Sequence, residues 1–238
     1  MNSILPLILN NISYSVGEKK ILKEISTTIN SGLPKIILGS NGAGKTILMK
    51  ICHGLIQPTS GSVNWSKKEN GYSEKKHTMV FQRPIMLRRS VLKNLIFVLK
   101  SKGYSKYYQY ELINTALKLV NMEKFKGFSA RCLSQGEQQK LALARAWLLK
   151  PEVLFLDEPT ANLDPKATES VENIVREISN CGTQVIMSTH NLAQAKRIGD
   201  EILFIHEGEL KETTLSCDFF SGPKTKEASL FIEKEKIK

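Results

Sequence analysis

The chain has 238 residues, 41% of them hydrophobic, which is enough to bury a sizeable core as one large domain or a domain carrying an inserted lobe. No stretch approaches the roughly 18 uninterrupted apolar residues of a membrane span, so we expect the chain not to cross a membrane by itself. The net charge of +11 would suit a nucleic-acid or anionic-lipid binder, but much of the excess lies in lysines at 67–68, 75–76 and 224–238, which we interpret as solvated loops or ends.

An apolar run at 36–38 is predicted to form a β-strand, and a glycine-rich turn leads from it into an apolar helical segment at 47–49. Such a turn can point several backbone N–H groups inward together, as the concentrated charge of a triphosphate requires. We expect Lys45 to reach the β- and γ-phosphates and Thr46 to offer its hydroxyl to Mg²⁺. The turn predicts a nucleoside triphosphate site formed by Gly39, Ser40, Asn41, Gly42, Ala43, Gly44, Lys45 and Thr46.

Three further apolar runs are predicted β-strands that end where a polar residue begins. Residues 78–81 precede Gln82, residues 153–156 precede Asp157 and Glu158, and residues 185–187 precede His190. Ligands of open α/β sheets bind at the carboxyl ends of strands, so these edges can converge on one site. We expect Asp157 to hold the Mg²⁺ shell and Glu158 to polarise the water that attacks the γ-phosphorus. An acidic pair after a strand can equally cap a turn, but the upstream phosphate loop favours the functional interpretation.

The remaining elements are predicted from helical spacing and from turn residues. Between 84 and 150, β-type runs vanish and apolar residues recur at helical spacing over 112–120, which indicates an inserted helical lobe. A second helix over 171–178 is followed by a stop at 180–182, and residues 202–208 predict a hairpin. The four cysteines are scattered without a zinc or redox motif, and we interpret them as small buried or idle thiols in a reducing compartment.

The order of these motifs resembles that of the ATP-binding cassette (ABC) ATPases that drive transporters, over nearly the whole chain. Residues 133–137, Leu-Ser-Gln-Gly-Glu, are similar to the family's signature motif, which usually has a second glycine where Gln135 stands. Residues 161–164 are similar to the D-loop. The resemblance implies an adenine-stacking Tyr14, a Q-loop glutamine Gln82 that also contacts the metal, the signature residues Ser134 and Gly136, the D-loop Asp164 and a switch histidine His190.

The family resemblance also implies the fold class and the domain organisation. The expected fold is an α/β P-loop NTPase with a RecA-like mixed-sheet core, an N-terminal antiparallel β portion and an inserted α-helical subdomain. We expect a single domain over 1–238, with a catalytic core at 1–82 and 150–215, a helical subdomain at 83–149 and a tail at 216–238.

The mechanism implied by the family is that of a two-cassette ATPase. Ser134 and Gly136 would cap the ATP held by the phosphate loop of a second copy, and hydrolysis with Mg²⁺, Glu158 and His190 would let the pair open. Gln135 adds bulk to the signature, but Ser134 and Gly136 are intact, so we expect an active site. The implied partners are a second copy, a transmembrane permease and, indirectly, an extracytoplasmic solute-binding protein, with no nucleic acid, at the cytoplasmic face of the cell membrane.

The transported solute depends on finer resemblances. Residues 80–91 closely resemble the Q-loop region of cassettes for tungstate, molybdate and phosphate-like oxyanion importers, and the tail over 219–232 is similar to that of compact importer cassettes. The alternatives are an ABC exporter ATPase or a superfamily ATPase acting on nucleic acid or ribosomes. A repair ATPase would need a long heptad insertion, and a translation factor would normally carry two cassettes. A P-loop kinase or a GTPase is a further alternative, although no guanine-reading tetrapeptide occurs.

Overall fold

A computed structural model of the chain describes residues 3–66 and 76–236, and it divides into two units. The first unit is Met1–His77 with Gln184–Lys238, and the second is Thr78–Thr183. The lysines at 67, 68 and 75 that we interpreted as solvated loops lie outside the described residues. The expected boundaries of core, helical subdomain and tail stay a prediction.

Strands and helices are interspersed along the chain, as expected for an α/β protein. Up to residue 80 they are β1 (Leu7–Val16), β2 (Lys19–Ile29), β3 (Lys35–Leu38), α1 (Lys45–His53), β4 (Ser60–Trp65) and β5 (His77–Val80). The second unit continues with α2 (Val91–Leu99), α3 (Lys106–Leu119), α4 (Gln135–Leu148), β6 (Val153–Asp157) and α5 (Pro165–Asn180). The chain then returns to the first unit with β7 (Gln184–Thr189), α6 (Leu192–Ile198), β8 (Glu201–His206), β9 (Glu209–Leu215), α7 (Ser216–Ser221) and α8 (Lys226–Lys236).

The first unit contains two groups of strands. Strand β1 pairs antiparallel with β2 and with β4, which confirms the predicted N-terminal antiparallel portion. Strand β3 lies between β7 and β8, is parallel to both, and is buried along its whole length. Such burial explains its continuous apolar run, because the strands of a parallel sheet are covered on both faces. Strand β9 pairs antiparallel with β8 and forms the predicted hairpin.

The C-terminal tail differs from its sequence-based interpretation as a loop or end. Residues 226–236 form helix α8, in which Ala228, Phe231 and Ile232 are buried. The Phe231 ring lies 5.3 Å from the ring of Phe204 on β8. The helical spacing of these apolar residues explains the helix, since an amphipathic helix can bury its apolar face and leave the opposite face in water.

The second unit is built around helix α4, whose middle is buried, and it contains the predicted helices. Helix α3 covers the apolar pattern from 112 to 119, with Val120 as its C-cap residue, and α5 ends at Asn180, two residues before the positive-φ Gly182 (φ 92°). Strand β5 ends one residue earlier than predicted. Phe81 lies just outside it, and its carbonyl accepts a hydrogen bond from the Gln139 side chain at 3.4 Å. Within the described residues no helix is long and apolar enough to cross a membrane.

Cys52 differs from the other cysteines because it is buried in α1, whereas Cys132, Cys181 and Cys217 are exposed. Burial raises the pKa of the Cys52 thiol to about 12. Since only the thiolate reacts with iodoacetamide, we expect the three exposed cysteines to be alkylated at about pH 8 in the folded protein and Cys52 only after urea is added. Peptide mass spectrometry measures this difference, and rapid labelling of native Cys52 would contradict it.

Candidate nucleotide-binding site

The phosphate loop, Gly39–Thr46, runs from the end of β3 into the first turn of α1. Lys45 is only 4% exposed, and its Nζ donates hydrogen bonds to the carbonyl oxygens of Gly39 at 2.9 Å and Ser40 at 3.0 Å. The loop therefore curves around a positive charge at a helix N-terminus. Backbone N–H groups and the helix dipole at such a position favour an anion.

Two of the loop's glycines are required by their surroundings. A Cβ on Gly39 would collide with the backbone carbonyl oxygen of Ile205, and one on Gly44 would lie 2.6 Å from Leu22 Cδ2. Gly44 also has a φ of 103°, which side chains of L-residues rarely adopt. The loop can therefore pass close to β2 and β8 only because these positions lack side chains.

We expect Gly39→Ala to lower both the melting temperature and ATP affinity, because the obstacle is backbone and cannot rotate away. Overpacking of this kind costs about 1–3 kcal/mol. Each kcal/mol corresponds to roughly 2–4 °C in a chain of this size. Gly127→Ala is the matched control, since open space surrounds a Cβ there. Scanning calorimetry and ATP titration test the pair, and equal Tm values for the two variants would contradict the prediction.

The first unit brings His190 to the same sheet edge as the phosphate loop. Strands β3 and β7 are parallel neighbours with Leu38 opposite Thr189, so the residues that follow them, Gly39 and His190, leave the sheet at the same end. This convergence was predicted for the carboxyl ends of the strands.

Tyr14 lies on β1 with its Cα opposite that of Leu22, and it is half-buried. Tyr14 therefore lies on the strand that pairs with β2, opposite Leu22, which borders Gly44.

The acidic pair lies in the second unit at the end of β6. Asp157 is the last residue of the strand and is 5% exposed, and Glu158 follows it with a φ of 41°. A positive φ costs a residue other than glycine on the order of 1–3 kcal/mol, and such residues cluster at functional sites. Gln82 lies two residues beyond the end of β5, the strand next to β6.

The predicted signature residues lie in the second unit, at the N-terminus of α4. Ser134 is the N-cap residue and is exposed, and Gly136 is buried. A Cβ on Gly136 would lie 2.9 Å from Ala167 Cβ on α5, so the close packing of α4 on α5 needs a glycine. The Gln135 Nε2 donates to the carbonyl oxygen of Ala161 at 3.4 Å, so the residue that departs from the family pattern contacts the predicted D-loop.

The predicted D-loop aspartate has a structural contact of its own. Asp164 is the N-cap residue of α5, and its Oδ1 accepts the Ala167 N–H at 2.9 Å. A carboxylate at this position also interacts favourably with the positive end of the helix dipole. Its expected part in ATP binding stays a prediction.

Two side chains that the sequence analysis missed hold the segment after β5. From α4, Gln139 donates to the carbonyl oxygen of Phe81, and the Arg145 Nη1 donates to that of Ile85 at 2.8 Å. Partial burial lowers the pKa of the Arg145 guanidinium. The helix that begins at the signature thus contacts both ends of the segment that contains Gln82. Their partners are backbone carbonyls, which every residue has, so no sequence pattern marks these contacts.

The chain matches the family model described as ABC transporter over residues 22–161, more than half of its length. The chain belongs to the ABC transporter family. It is 36% identical over 209 residues to the tungstate uptake system ATP-binding protein TupC of Peptoclostridium acidaminophilum, covering 87% of this chain and 97% of that protein. It is 30% identical over 232 residues to the arginine transport ATP-binding protein ArtM of Bacillus subtilis, covering 94% and 97%. Other relatives are named for import of phosphate, iron(III) and methionine.

Solved structures of ABC proteins have the same fold. A structure of cbiO1 from Clostridium perfringens, part of the ABC transporter complex cbiONQ, superposes with a TM-score of 0.82 at 26% identity, covering 98% of this chain and 96% of that one. A dimeric post-hydrolysis ATP-binding cassette bound to ADP and Pi gives 0.77 at 26% identity, covering 88% and 98%. This chain is thus an ABC ATPase that hydrolyses ATP to energise transport, the ATP-binding subunit of an importer of this family. The family match excludes the P-loop kinase and the GTPase.

Proposed function

We propose that this ABC ATPase energises the uptake of an oxyanion of the tungstate, molybdate or phosphate type. The observation that carries the proposal is the 36% identity to TupC over 97% of that protein's length. The resemblance of residues 80–91 to the Q-loop region of oxyanion cassettes agrees with it. Relatives named for arginine or methionine are 30% and 34% identical, so an amino acid is the competing solute class.

In the proposed reaction, each cassette binds ATP through its phosphate loop and Tyr14. Lys45 neutralises charge on the β- and γ-phosphates, and the loop amides hold the phosphate oxygens. Glu158 accepts a proton from the attacking water, and His190 donates a hydrogen bond to the γ-phosphate as negative charge is redistributed there. Gln82 would orient the attacking water and would be one of the residues that hold the ion.

The residues proposed to hold Mg²⁺ fit that ion by their donor chemistry. Thr46 offers a hydroxyl oxygen, Asp157 a carboxylate and Gln82 an amide oxygen, which are the hard donors that Mg²⁺ prefers. When bound, the ion would screen the charge of the triphosphate and polarise the γ-phosphoryl group. No group of three His, Cys, Asp or Glu side chains suited to a metal occurs among the residues that the structure describes.

We further propose that two copies bind two ATP molecules head to tail. Ser134 and Gly136 of one copy would cap the γ-phosphate held by the other, and Asp164 would lie beside the same nucleotide. The dimeric, ADP-bound and phosphate-bound cassette with a TM-score of 0.77 supports this arrangement by analogy. The pair would associate with a transmembrane permease at the cytoplasmic face of the membrane, and through it with an extracytoplasmic solute-binding protein.

A reconstituted transporter tests the solute. Membranes are solubilised from cells carrying a tag on this subunit, and the permease and binding protein that copurify are assembled in lipid vesicles. We expect tungstate or molybdate, supplied with the binding protein, to raise ATP hydrolysis severalfold, whereas arginine and methionine leave it unchanged. Stimulation by an amino acid alone would replace the oxyanion with that solute, and stimulation by DNA or RNA would favour a nucleic-acid ATPase.

A further inference from the structure

The N-terminus of α4 contains a closed set of hydrogen bonds between Ser134 and Glu137. The N–H and the O–H of Ser134 both donate to Glu137 Oε2, each at 2.8 Å, and Ser134 Oγ accepts the Glu137 N–H at 3.3 Å. An ionised carboxylate has no hydrogen to donate, so the contact between the two oxygens requires the hydroxyl hydrogen to point at Glu137. The single hydroxyl hydrogen of Ser134 is therefore committed to a side chain of its own helix.

This bond competes with the proposed lid, in which Ser134 closes over a triphosphate, so the inference rests on that proposed function. Phosphate oxygens, like carboxylate oxygens, only accept hydrogen bonds. On closure, the Ser134 O–H must therefore turn away from Glu137 Oε2 and donate to a phosphate oxygen instead. The bond that is lost is charge-assisted, and such bonds are roughly twice as strong as neutral ones. The negative charge that remains at Glu137 also repels the arriving nucleotide.

We propose that Glu137 is a positioning residue that restrains Ser134 and thereby sets how much ATP is needed to join two cassettes. Glutamine at this position would remove the restraint and keep the helix cap, since the Ser-x-x-Glu and Ser-x-x-Gln forms of the capping box both occur. Its carbonyl oxygen would accept the Ser134 N–H, and its amide could donate to Ser134 Oγ. The hydroxyl hydrogen would then be available to a phosphate oxygen.

The test measures ATP-dependent pairing in a protein whose turnover is blocked by Glu158→Gln. Sedimentation velocity at several Mg-ATP concentrations compares this variant with the double variant that also carries Glu137→Gln. We expect the ATP concentration for half-maximal pairing to fall about fivefold, as when a charge-assisted hydrogen bond is exchanged for a neutral one. In the otherwise unchanged protein, Glu137→Gln should lower KM about fivefold and alter kcat by less than about twofold, and added salt should shrink the effect.

Glu177→Gln on the exposed side of α5 is the matched control, because it removes the same charge from the same unit, and we expect no change. A Glu137→Gln variant that pairs at the same or a higher ATP concentration overturns the inference and leaves the two-cassette mechanism standing. If the Glu158→Gln protein never pairs, the proposed closure of Ser134 over a second copy's ATP is wrong, and the inference is wrong with it.

The Glu137→Ala variant separates the restraint on Ser134 from the capping of α4. The Glu137→Ala variant should have a lower Tm but should still pair at a lower ATP concentration than the parent. If it pairs only at a higher ATP concentration than the parent, Glu137 acts as a helix cap and not as a restraint.

Discussion

Glu158→Gln is expected to slow ATP hydrolysis by about 10²–10⁴-fold, the usual loss when a general base is removed. The substitution keeps the size of the side chain, and the residue at 158 keeps its positive φ of 41° at the end of β6, so the fold should be unchanged. Because the phosphate loop is intact, ATP should still bind and accumulate unhydrolysed. Phosphate release measures the turnover, and a sizing column with Mg-ATP measures the dimers that should then persist.

The matched control for this variant is Glu123→Gln, an exposed glutamate in a short 3-10 turn of the same unit, which should hydrolyse ATP at the parental rate. Three further measurements would accompany the comparison: circular dichroism, Tm and ATP affinity, each expected to match the parent. Undiminished hydrolysis in Glu158→Gln would remove this residue from the proposed mechanism. The attacking water would then need a different proton acceptor.

Lys45→Ala is expected to weaken ATP binding by at least about a hundredfold. Two charges about 4 Å apart attract by roughly 4 kcal/mol at an effective dielectric constant near 20. Every 1.4 kcal/mol is a factor of ten in affinity, so a hundredfold loss is a conservative lower bound. The variant also leaves the carbonyl oxygens of Gly39 and Ser40 without the Lys45 ammonium, which should loosen the loop. Isothermal titration calorimetry with Mg-ATP measures the affinity.

Lys50→Ala gives the control for this experiment, because Lys50 lies on the same helix about 1.4 turns further on and its loss changes the net charge equally. We expect its ATP affinity to stay within about twofold of the parent. Lys45→Arg is a second informative variant. A planar guanidinium differs in shape from the ammonium that fits between two carbonyl oxygens, so it should restore little of the affinity. Parental affinity in Lys45→Ala would contradict the assignment of this loop as the phosphate site.

Local chemistry explains why much of the local structure around the candidate site could be predicted from the order of residues. The phosphate loop needs glycine where φ is positive or a Cβ has no room, and Gly39 and Gly44 meet those conditions. Helix α5 follows from its apolar spacing and its stop at Gly182, and the β8–β9 hairpin follows from the turn at Glu207 and Gly208. Each of these features depends on neighbours a few residues away along the chain, which periodicity and backbone preference describe directly.

Only the tertiary structure shows which strands, distant along the chain, pair with each other. No local pattern states that β3 has β7 and β8 as its neighbours, and it is this pairing that brings His190 to the sheet edge where the phosphate loop begins. The contacts of Gln139 and Arg145 with the segment after β5 could not be predicted from the sequence either. Backbone carbonyls are chemically the same at every position, so only the folded chain selects which of them a side chain reaches.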